Sequence, residues 1–197
     1  MKEFNIILAG VGGQGILLAS QILGVSAVKE GFNVRVSEIH GMAQRGGAVV
    51  SHVRIGEKVH SPTVLEGDAD VILGFEPLEA LRNMKYASQK TLVIISKETI
   101  VPTGFSLEPV QYPSFDEIVA KIRIFTEKLV VIDALELARK AGSPITRNVV
   151  LLGALAACNV LPIRTETLRE TIKELVRPAY LEMNLKAFNL GYETAKK

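Results

Sequence analysis

Cysteine is nearly missing from this sequence of 197 residues, and its scarcity excludes two kinds of protein. The one cysteine, Cys158, can form neither a disulfide framework nor a cysteine-ligated cluster within this chain. The apolar residues around Cys158 predict a thiol that packs inside a helix rather than a nucleophile. A lone cysteine is also typical of a reducing compartment, so we expect a cytoplasmic protein.

An excess of charge of either sign is also lacking. The chain has 23 basic and 21 acidic residues, which gives a net charge of +2, and the basic residues form no stripe. Proteins that bind nucleic acid neutralise its phosphates with clustered lysine and arginine. We therefore expect no nucleic-acid partner.

No apolar run has the length and continuity of a membrane span. Residues 4–28 carry no charge, but glycines and polar residues interrupt them; residues 148–163 contain a proline and fall short of the ~20 residues that a spanning helix needs. The first residues, MKEF, lack the basic start of a signal peptide. We expect neither a leader nor a membrane anchor. The mean hydropathy of +0.25 is high for a chain in water and predicts an exposed apolar patch that contacts a partner.

Short apolar runs alternate with helical patterns through the first 143 residues. Strands are predicted at residues 4–9, 33–39, 69–75, 91–96 and 129–133. A hairpin is predicted within residues 48–61, with its turn at Gly56 and Glu57. This alternation is typical of an α/β fold with three layers, in which a mostly parallel sheet carries an antiparallel edge hairpin.

Local signals mark where the helices begin and end. Gly31 suits the end of a helix that starts at Ile16, and Pro77 suits a first turn. Residues 114–117 have the spacing of a capping box, and residues 133–136 repeat that pattern. Only helical patterns follow Thr146. We therefore predict one domain, residues 1–197, in which a C-terminal helical tail (residues 144–197) packs on an α/β core (residues 1–143).

A glycine loop, GVGGQGILLAS, connects the first predicted strand to the first helix. Gly10, Gly12 and Gly15 match the pattern G-x-G-x-x-G, which lets backbone N–H groups approach a phosphate at a helix N-terminus. The same pattern also occurs in a tight turn that binds nothing. A dinucleotide site further needs an acidic residue after the second strand, and Glu38 stands near that position. Because a second glycine-rich loop follows Glu38 instead of a helix, NAD(P) binding is the weaker alternative.

The second loop, HGMAQRGG, fits neither the helical nor the strand period. Arg45 precedes Gly46 and Gly47, so a planar cation stands beside exposed N–H groups, which suits a phosphate or a carboxylate. Glu38 can orient Arg45 or His40. The alternative is a compact surface loop in which Arg45 forms a structural ion pair. Loops that follow strands often carry function, so we favour a binding site.

The three histidines are not expected to share a metal. In the predicted hairpin Val53 faces His60, which places His52 on the opposite face from His60. A nucleophile elbow, a P-loop lysine and a pair of catalytic carboxylates are also missing from the sequence. We therefore predict no metal site and no catalytic residue in this chain.

The order of these motifs resembles the gamma-type subunits of 2-oxoacid:ferredoxin oxidoreductases over essentially the whole chain. The resemblance is carried by GVGGQGILLAS, SEIHGMAQRGGAVVSHVRIG, ADVILGFEPLEALR, VVIDALELARKAG and RNVVLLGALAA, with NLKAFNLGYE near the end. Within that family, HGMAQRGG and FEPLEALR are most similar to the beta subunit of indolepyruvate enzymes. Subunits for pyruvate, 2-oxoglutarate or branched-chain oxoacids differ around residues 42–44.

This resemblance implies an oxidoreductase that is active only as part of a complex. The reaction is the oxidative decarboxylation of an aryl 2-oxoacid with coenzyme A, which gives an acyl-CoA, carbon dioxide and reduced ferredoxin. Thiamine diphosphate, Mg²⁺ and iron–sulfur clusters are expected on a larger alpha subunit and not on this chain. The resemblance also implies a swivelling α/β domain. Separately from the resemblance, the apolar patch expected from the hydropathy predicts that the isolated chain is able to form a homodimer.

The two loops are expected to meet at the carboxyl ends of the strands and to bind the coenzyme A side of the shared site. The expected ligand-binding residues are Gly10, Gly12, Gly13, Gln14, Gly15, Glu38, His40, Arg45, Gly46 and Gly47. The alternatives are a subunit for another 2-oxoacid, a stand-alone NAD(P)-binding protein, and a scaffold subunit whose glycine turns bind nothing.

Overall fold

A computed structural model describes residues 3–41, 46–101 and 112–196, and these residues form a six-stranded sheet between two layers of helices. The strands are β1 (Phe4–Val11), β2 (Asn33–His40), β3 (Ala48–Gly56), β4 (Val71–Gly74), β5 (Leu92–Ser96) and β6 (Leu129–Ile132). The helices are α1 (Ile16–Lys29), α2 (Pro77–Arg82), α3 (Phe115–Arg123), α4 (Ala134–Ala141), α5 (Arg147–Ala157), α6 (Thr165–Leu175) and α7 (Leu181–Ala195). Within the described ranges, no helix is long and apolar enough to cross a membrane.

The strand order is β2-β3-β1-β4-β5-β6, and β3 alone runs against its neighbours. The central strand β1 is an almost continuous apolar run because both of its faces are covered, as in other parallel sheets. Helices α1 and α4–α7 cover one face, while α2 and α3 cover the other. The predicted three-layer α/β fold with an antiparallel edge hairpin is confirmed.

The hairpin is formed by different residues from those predicted. Its two strands are β2 and β3, joined through residues 41–47, and no strand follows Gly56 in residues 57–60. The placement within residues 48–61 is therefore wrong. The physical reason is that β1 and β2 already occupy both edges of β3, so a returning strand has no edge to pair with. The chain after Gly56 is held instead by Arg54, whose guanidinium donates to the carbonyl groups of Ser61 and Thr63.

The predicted helix boundaries are confirmed in detail. The Gly31 N–H donates to the Val28 carbonyl, and the next N–H reaches back to Ala27, which is the hydrogen-bond pattern of a glycine-ended helix. Ser114 and Glu117 form the capping box of α3. Asp133 accepts a hydrogen bond from the Glu136 N–H at the start of α4. Each signal acts within one helical turn, so local sequence is sufficient to predict it.

The helices after residue 144 pack tightly on the rest of the chain. Helix α5 is buried from Asn148 to Ala157, and it crosses α7 at two glycines. A Cβ added at Gly153 would lie 2.0 Å from the Phe188 carbonyl oxygen, and one at Gly191 would lie 1.9 Å from that of Val150. The two backbones therefore touch directly. Buried side chains of α5, α6 and α7 also share one hydrophobic cluster with residues of β1 and α1. On this shared cluster we propose that residues 144–196 belong to the same domain as the core.

Candidate functional site

The glycine loop is a tight turn between β1 and α1. Gly13 has a φ of 96° and Gly15 a φ of 78°, which are left-handed values that favour glycine. Gly15 also has no room for a side chain, since an added Cβ would lie 2.6 Å from the Asn148 Nδ2. An added Cβ at Gly13 would meet nothing within 4 Å. Gly13 is therefore needed for its backbone conformation, and Gly15 is needed both for its backbone conformation and for its close contact with Asn148.

The second loop lies against the first, as predicted. The Gly12 N–H donates to the Gly47 carbonyl at 2.9 Å, and the Gly41 N–H donates to the Ala48 carbonyl at 2.7 Å. Gly46 has a φ of 68°. The two loops thus meet at the carboxyl ends of β1 and β2, the edge of an open α/β sheet where ligands bind.

Arg45 lies outside the described residues, together with residues 42–44. Two other members of the predicted site, Glu38 and His40, are described. A Glu38 carboxylate oxygen lies 3.4 Å from the His40 Nε2, so Glu38 is placed to orient that ring. The His40 Nε2 donates to Glu38 in the tautomer that carries the proton on that nitrogen.

A pocket of about 800 Å³ opens beside the two loops. It is lined by the loop glycines, the start of α1, the end of β2, the start of β3, and the start of α5. Its lining residues are Val11, Gly12, Gly13, Gly15, Ile16, Leu17, Leu18, His40, Gly41, Ala48, Val49, Ile145 and Asn148. Leu17 is 46% exposed and Ile145 is 69% exposed, so two apolar side chains stand at the pocket with little cover.

The N-terminus of α1 gives this largely apolar pocket a positive end. Gly15 is the N-cap and provides no side-chain cap, and the first turn of α1 contains no acidic residue. The first intrahelical hydrogen bond runs from the Ala19 N–H to the Gly15 carbonyl, so the N–H groups of the first turn have no acceptor within the helix. The helix dipole adds partial positive charge there. An anionic group of a ligand would be stabilised at this point.

Asn148 is a pocket residue that the sequence analysis missed. Its side-chain amide donates to the Gly15 carbonyl at 3.1 Å, and only 3% of the residue is exposed. Asn148 thereby ties the start of α5 to the start of α1, although 133 positions separate the two residues. A polar residue in the first turn of an otherwise apolar helix was the available signal, but it did not identify the partner.

Two residues predicted to bind a ligand face the protein interior instead. Gln14 is 2% exposed, and its side chain bonds to the Val11 N–H and to the Phe75 carbonyl. Gly10 is a buried position of β1. Neither presents a free polar group to the pocket. Gly10 is still paired with β3, and the side-chain amide of Gln14 bonds to backbone groups at the ends of β1 and β4.

The histidines do not come together. His52 is fully buried, where its Nδ1 accepts a hydrogen bond from the Val64 N–H and its ring meets Tyr86 edge to face. Burial lowers the pKa of His52, and the nearby positive charges of Lys85 and Arg54 lower it further. His40 and His60 are exposed. Among residues 3–41, 46–101 and 112–196, no group of three or more His, Cys, Asp or Glu side chains could hold a metal ion.

The position of β3 argues against the dinucleotide alternative. In a dinucleotide fold the second strand lies directly beside the first, so that its terminal acidic residue reaches the ribose of a ligand on the glycine loop. Here β3 lies between β1 and β2. Glu38 is consequently one strand farther away than that geometry requires.

Cys158 has the environment of a packing residue. It lies at the end of α5, its thiol donates to the Ala154 carbonyl, and burial raises its pKa. A thiol with a raised pKa forms little thiolate near neutral pH, so it is a poor nucleophile and a poor metal ligand.

Comparison with known proteins gives matches over the full chain. The chain is 46% identical over 198 residues to the indolepyruvate oxidoreductase subunit IorB of Pyrococcus horikoshii, covering 100% of this chain and 98% of the relative. Its fold is similar to the pyruvate oxidoreductase subunit PORC of Thermotoga maritima, with a TM-score of 0.74 at 24% identity, covering 98% of this chain and 97% of the other.

A larger enzyme contains the same fold as one part. The 2-oxoglutarate:ferredoxin oxidoreductase of Magnetococcus marinus, solved with 2-oxoglutarate, coenzyme A and succinyl-CoA bound, matches with a TM-score of 0.73 at 23% identity; the match covers 100% of this chain and 31% of that one. The family model described as pyruvate ferredoxin/flavodoxin oxidoreductase matches residues 5–194. The resemblance predicted from the two loops is confirmed, and the chain belongs to the pyruvate ferredoxin/flavodoxin oxidoreductase family.

Proposed function

We propose that this chain is the subunit without clusters of an indolepyruvate, or more broadly aryl 2-oxoacid, ferredoxin oxidoreductase. The observation that carries the proposal is the 46% identity, over the whole chain, to a protein named as an indolepyruvate oxidoreductase subunit. The complex decarboxylates the oxoacid oxidatively, transfers the acyl group to coenzyme A and passes the electrons to ferredoxin. We further propose that it does so in the cytoplasm.

The residues of this chain do not fit the redox cofactors that such a complex needs. Its one cysteine follows the last residue of α5 with its thiol bonded to a backbone carbonyl, and a four-iron cluster requires several thiolates. No step of the reaction is therefore assigned to a cofactor on this chain. Thiamine diphosphate, Mg²⁺ and iron–sulfur clusters belong, in this proposal, to a larger alpha subunit.

The contribution of this chain is the pocket between the two loops. The uncapped N-terminus of α1 suits a phosphate or a carboxylate, and the apolar wall at Leu17 and Ile145 suits a less polar part of the same ligand. Coenzyme A combines phosphates with a long, less polar arm, and it is the ligand we propose. Gly12, Gly13, Gly15, His40, Gly46 and Gly47 shape this site, with Glu38 orienting His40 and Arg45 supplying a cation.

The substrate class is tested on the complex. The chain is produced with its larger subunit, and coenzyme A-dependent reduction of ferredoxin is measured with indolepyruvate, phenylpyruvate, pyruvate and 2-oxoglutarate. We expect kcat/KM for the two aryl oxoacids to exceed that for the others by at least about a hundredfold. Faster turnover of pyruvate or 2-oxoglutarate would assign the subunit to another oxoacid and overturn the aryl assignment.

The pocket is tested at its exposed wall. Ile145→Asp places a negative charge in the apolar wall of the pocket that also contains the start of α1. The KM for coenzyme A should therefore rise roughly three- to tenfold while the KM for the oxoacid changes little. Ile124→Asp is the matched control, because Ile124 is also exposed but precedes β6 at the opposite end of the sheet. Equal kinetics for both variants would favour a scaffold subunit, as would an Arg45→Ala complex with unchanged dependence on coenzyme A.

A further inference from the structure

The carboxyl ends of β1 and β4 form the place where an open α/β sheet most often binds its ligand. The two strands are neighbours, but the chain leaves β1 through α1 on one face and leaves β4 through α2 on the other. Such a divergence opens a crevice between the two strand ends. The pocket beside the two loops does not lie there, since it opens on the α1 side between β1 and β3.

The side chain of Gln14 occupies the crevice. Its Oε1 accepts a hydrogen bond from the Val11 N–H at 2.8 Å, at the end of β1. Its Nε2 donates to the Phe75 carbonyl at 2.9 Å, just past the end of β4. Gln14 and Phe75 are almost fully buried. One amide thus closes the gap by satisfying one backbone group from each strand end.

Gly10 leaves the space that Gln14 fills. A Cβ added at Gly10 would lie 2.6 Å from the Gln14 Oε1 and 2.7 Å from the Phe75 Cβ. Gly10 has no unusual φ, so its glycine is explained by this contact rather than by backbone conformation. The Phe75 N–H in turn donates to the Ala9 carbonyl at 2.7 Å, which holds the two strand ends together beneath Gln14.

We propose that Gln14 is a positioning residue: by closing the crevice between β1 and β4, it fixes the glycine loop so that the start of α1 opens toward the pocket on the other side of β1. Between the end of β1 and the start of α1, residues 12–15 are glycine except for Gln14, so Gln14 provides the one side chain of this connection. The effect of Gln14 on the conformation of the loop does not depend on which ligand the pocket binds. The effect of Gln14 on the kinetics rests on the proposed function of the pocket.

The amide is essential to this role because it must accept at one end and donate at the other. A protonated glutamic acid has the same shape and also accepts and donates, whereas a glutamate only accepts. In the Gln14→Glu variant, an ionised carboxylate would turn an acceptor toward the Phe75 carbonyl in a buried position, so burial should raise the pKa of the introduced carboxyl. Gln14→Glu is therefore expected to resemble the natural protein at low pH and to lose the contact as the pH rises through that raised pKa.

The first experiment measures the loop in the full-length chain. Amide hydrogen exchange is followed at Val11, Gly12, Gln14 and Ala19, whose N–H groups all have acceptors. It is compared at pH 5 and pH 8 in the natural protein, in Gln14→Glu, in Gln14→Leu and in the control Gln21→Glu. Gln21 lies on the exposed side of α1. At each pH, rates are normalised to the natural protein.

Exchange should be at least about tenfold faster in Gln14→Leu at both pH values, and in Gln14→Glu at pH 8 only. Gln21→Glu should match the natural protein throughout. If Gln14→Leu does not fold, the pH dependence of Gln14→Glu still decides the matter. Unchanged protection of these four amides in Gln14→Glu at pH 8 would overturn the proposal.

The second experiment separates this proposal from the proposed function. In the assembled complex, Gln14→Glu should raise the KM for coenzyme A at pH 8 by at least about fivefold relative to Gln21→Glu, with kcat much less affected. Faster loop exchange with an unchanged KM would support Gln14 as the residue that positions the loop and would contradict coenzyme A binding in the pocket.

Discussion

Glycines serve opposite purposes in two regions of this molecule. At the crossing of α5 and α7, Gly153 and Gly191 have ordinary helical backbone but no space for a methyl group. In the glycine loop, Gly13 has ample space but a left-handed backbone. The first pair allows contact between backbones, whereas the loop glycine allows a turn. We infer that substitutions at the crossing cost stability throughout the domain, while substitutions in the loop act on the site.

The largest effect is expected at the helix crossing. Gly191→Ala would push a methyl group into the Val150 carbonyl, and neither backbone can move without separating the helices, so the free energy of unfolding should fall by at least about 3 kcal/mol. Urea denaturation of the purified chain measures it.

The matched control for that change is another helical glycine. An added Cβ at Gly24 in α1 would lie 3.5 Å from a Val36 methyl group, which is ordinary contact. Gly24→Ala should therefore be neutral or stabilising by up to about 1 kcal/mol. A similar loss at Gly24 and at Gly191 would mean that contact does not explain the crossing.

Gly15 combines both purposes, so its substitution should have an intermediate effect. Gly15→Ala has a strained backbone and a close contact with the Asn148 amide, and we expect a loss of roughly 2–3 kcal/mol. In an Asn148→Ala background the contact is relieved and only about 1 kcal/mol of strain should remain. A double-mutant cycle by urea denaturation checks this coupling. Strictly additive losses would show that the two residues do not interact.

Gly13→Ala should have a smaller effect on stability and a clear effect on the site. Only backbone strain of about 1 kcal/mol is expected, because no atom lies within 4 Å of the added methyl group. The methyl group would project beside the start of α1, so the KM for coenzyme A should rise. Kinetics of the complex and denaturation of the chain together test this separation. A stability loss as large as that of Gly191→Ala would remove it.

The smallest expected effect is that of pH on the free energy of unfolding, and it determines the pH at which the glycine variants should be compared. Burial keeps the pKa of His52 below that of an unfolded histidine, near 6.5, so the unfolded chain takes up a proton first as the pH falls. Stability should therefore be fully present above pH 6.5 and decline below it, by about 1 kcal/mol or less between pH 6.5 and 5.5. Thermal unfolding across this range measures it. His52→Gln should flatten the dependence; an unchanged slope would place its origin elsewhere.

Local signals accounted for most of the fold that could be predicted. The capping residues Ser114 and Asp133 and the helix-ending Gly31 each act through neighbours in the sequence, and all three were identified correctly. The strand partners were harder. The residues of β3 alternate in the same way whichever strand they pair with, so sequence could not reveal that β1 and β2 take both of its edges.

The site was also predicted only in part, because some of its residues are set by local motifs and others by distant parts of the chain. The two glycine loops follow consecutive strands, and their meeting at Gly12 and Gly47 follows from the fold class. Gln14 belongs to the same motif, but a motif does not say which way a side chain points. Asn148 reaches the site from a distant helix, and only tertiary structure places it there.

Two backbone hydrogen bonds close the base of the second loop, so the pairing of the strands does not depend on the side chains of residues 42–45. Gly41 bonds to Ala48, and Gly47 bonds to Gly12, so the loop is closed by backbone groups that every amino acid except proline can supply. We therefore expect substitutions at residues 42–45 to leave the pairing of β2 with β3 unchanged. If the proposed function holds, selection on these four positions would alter the substrate preference of a complex without altering the fold that presents them.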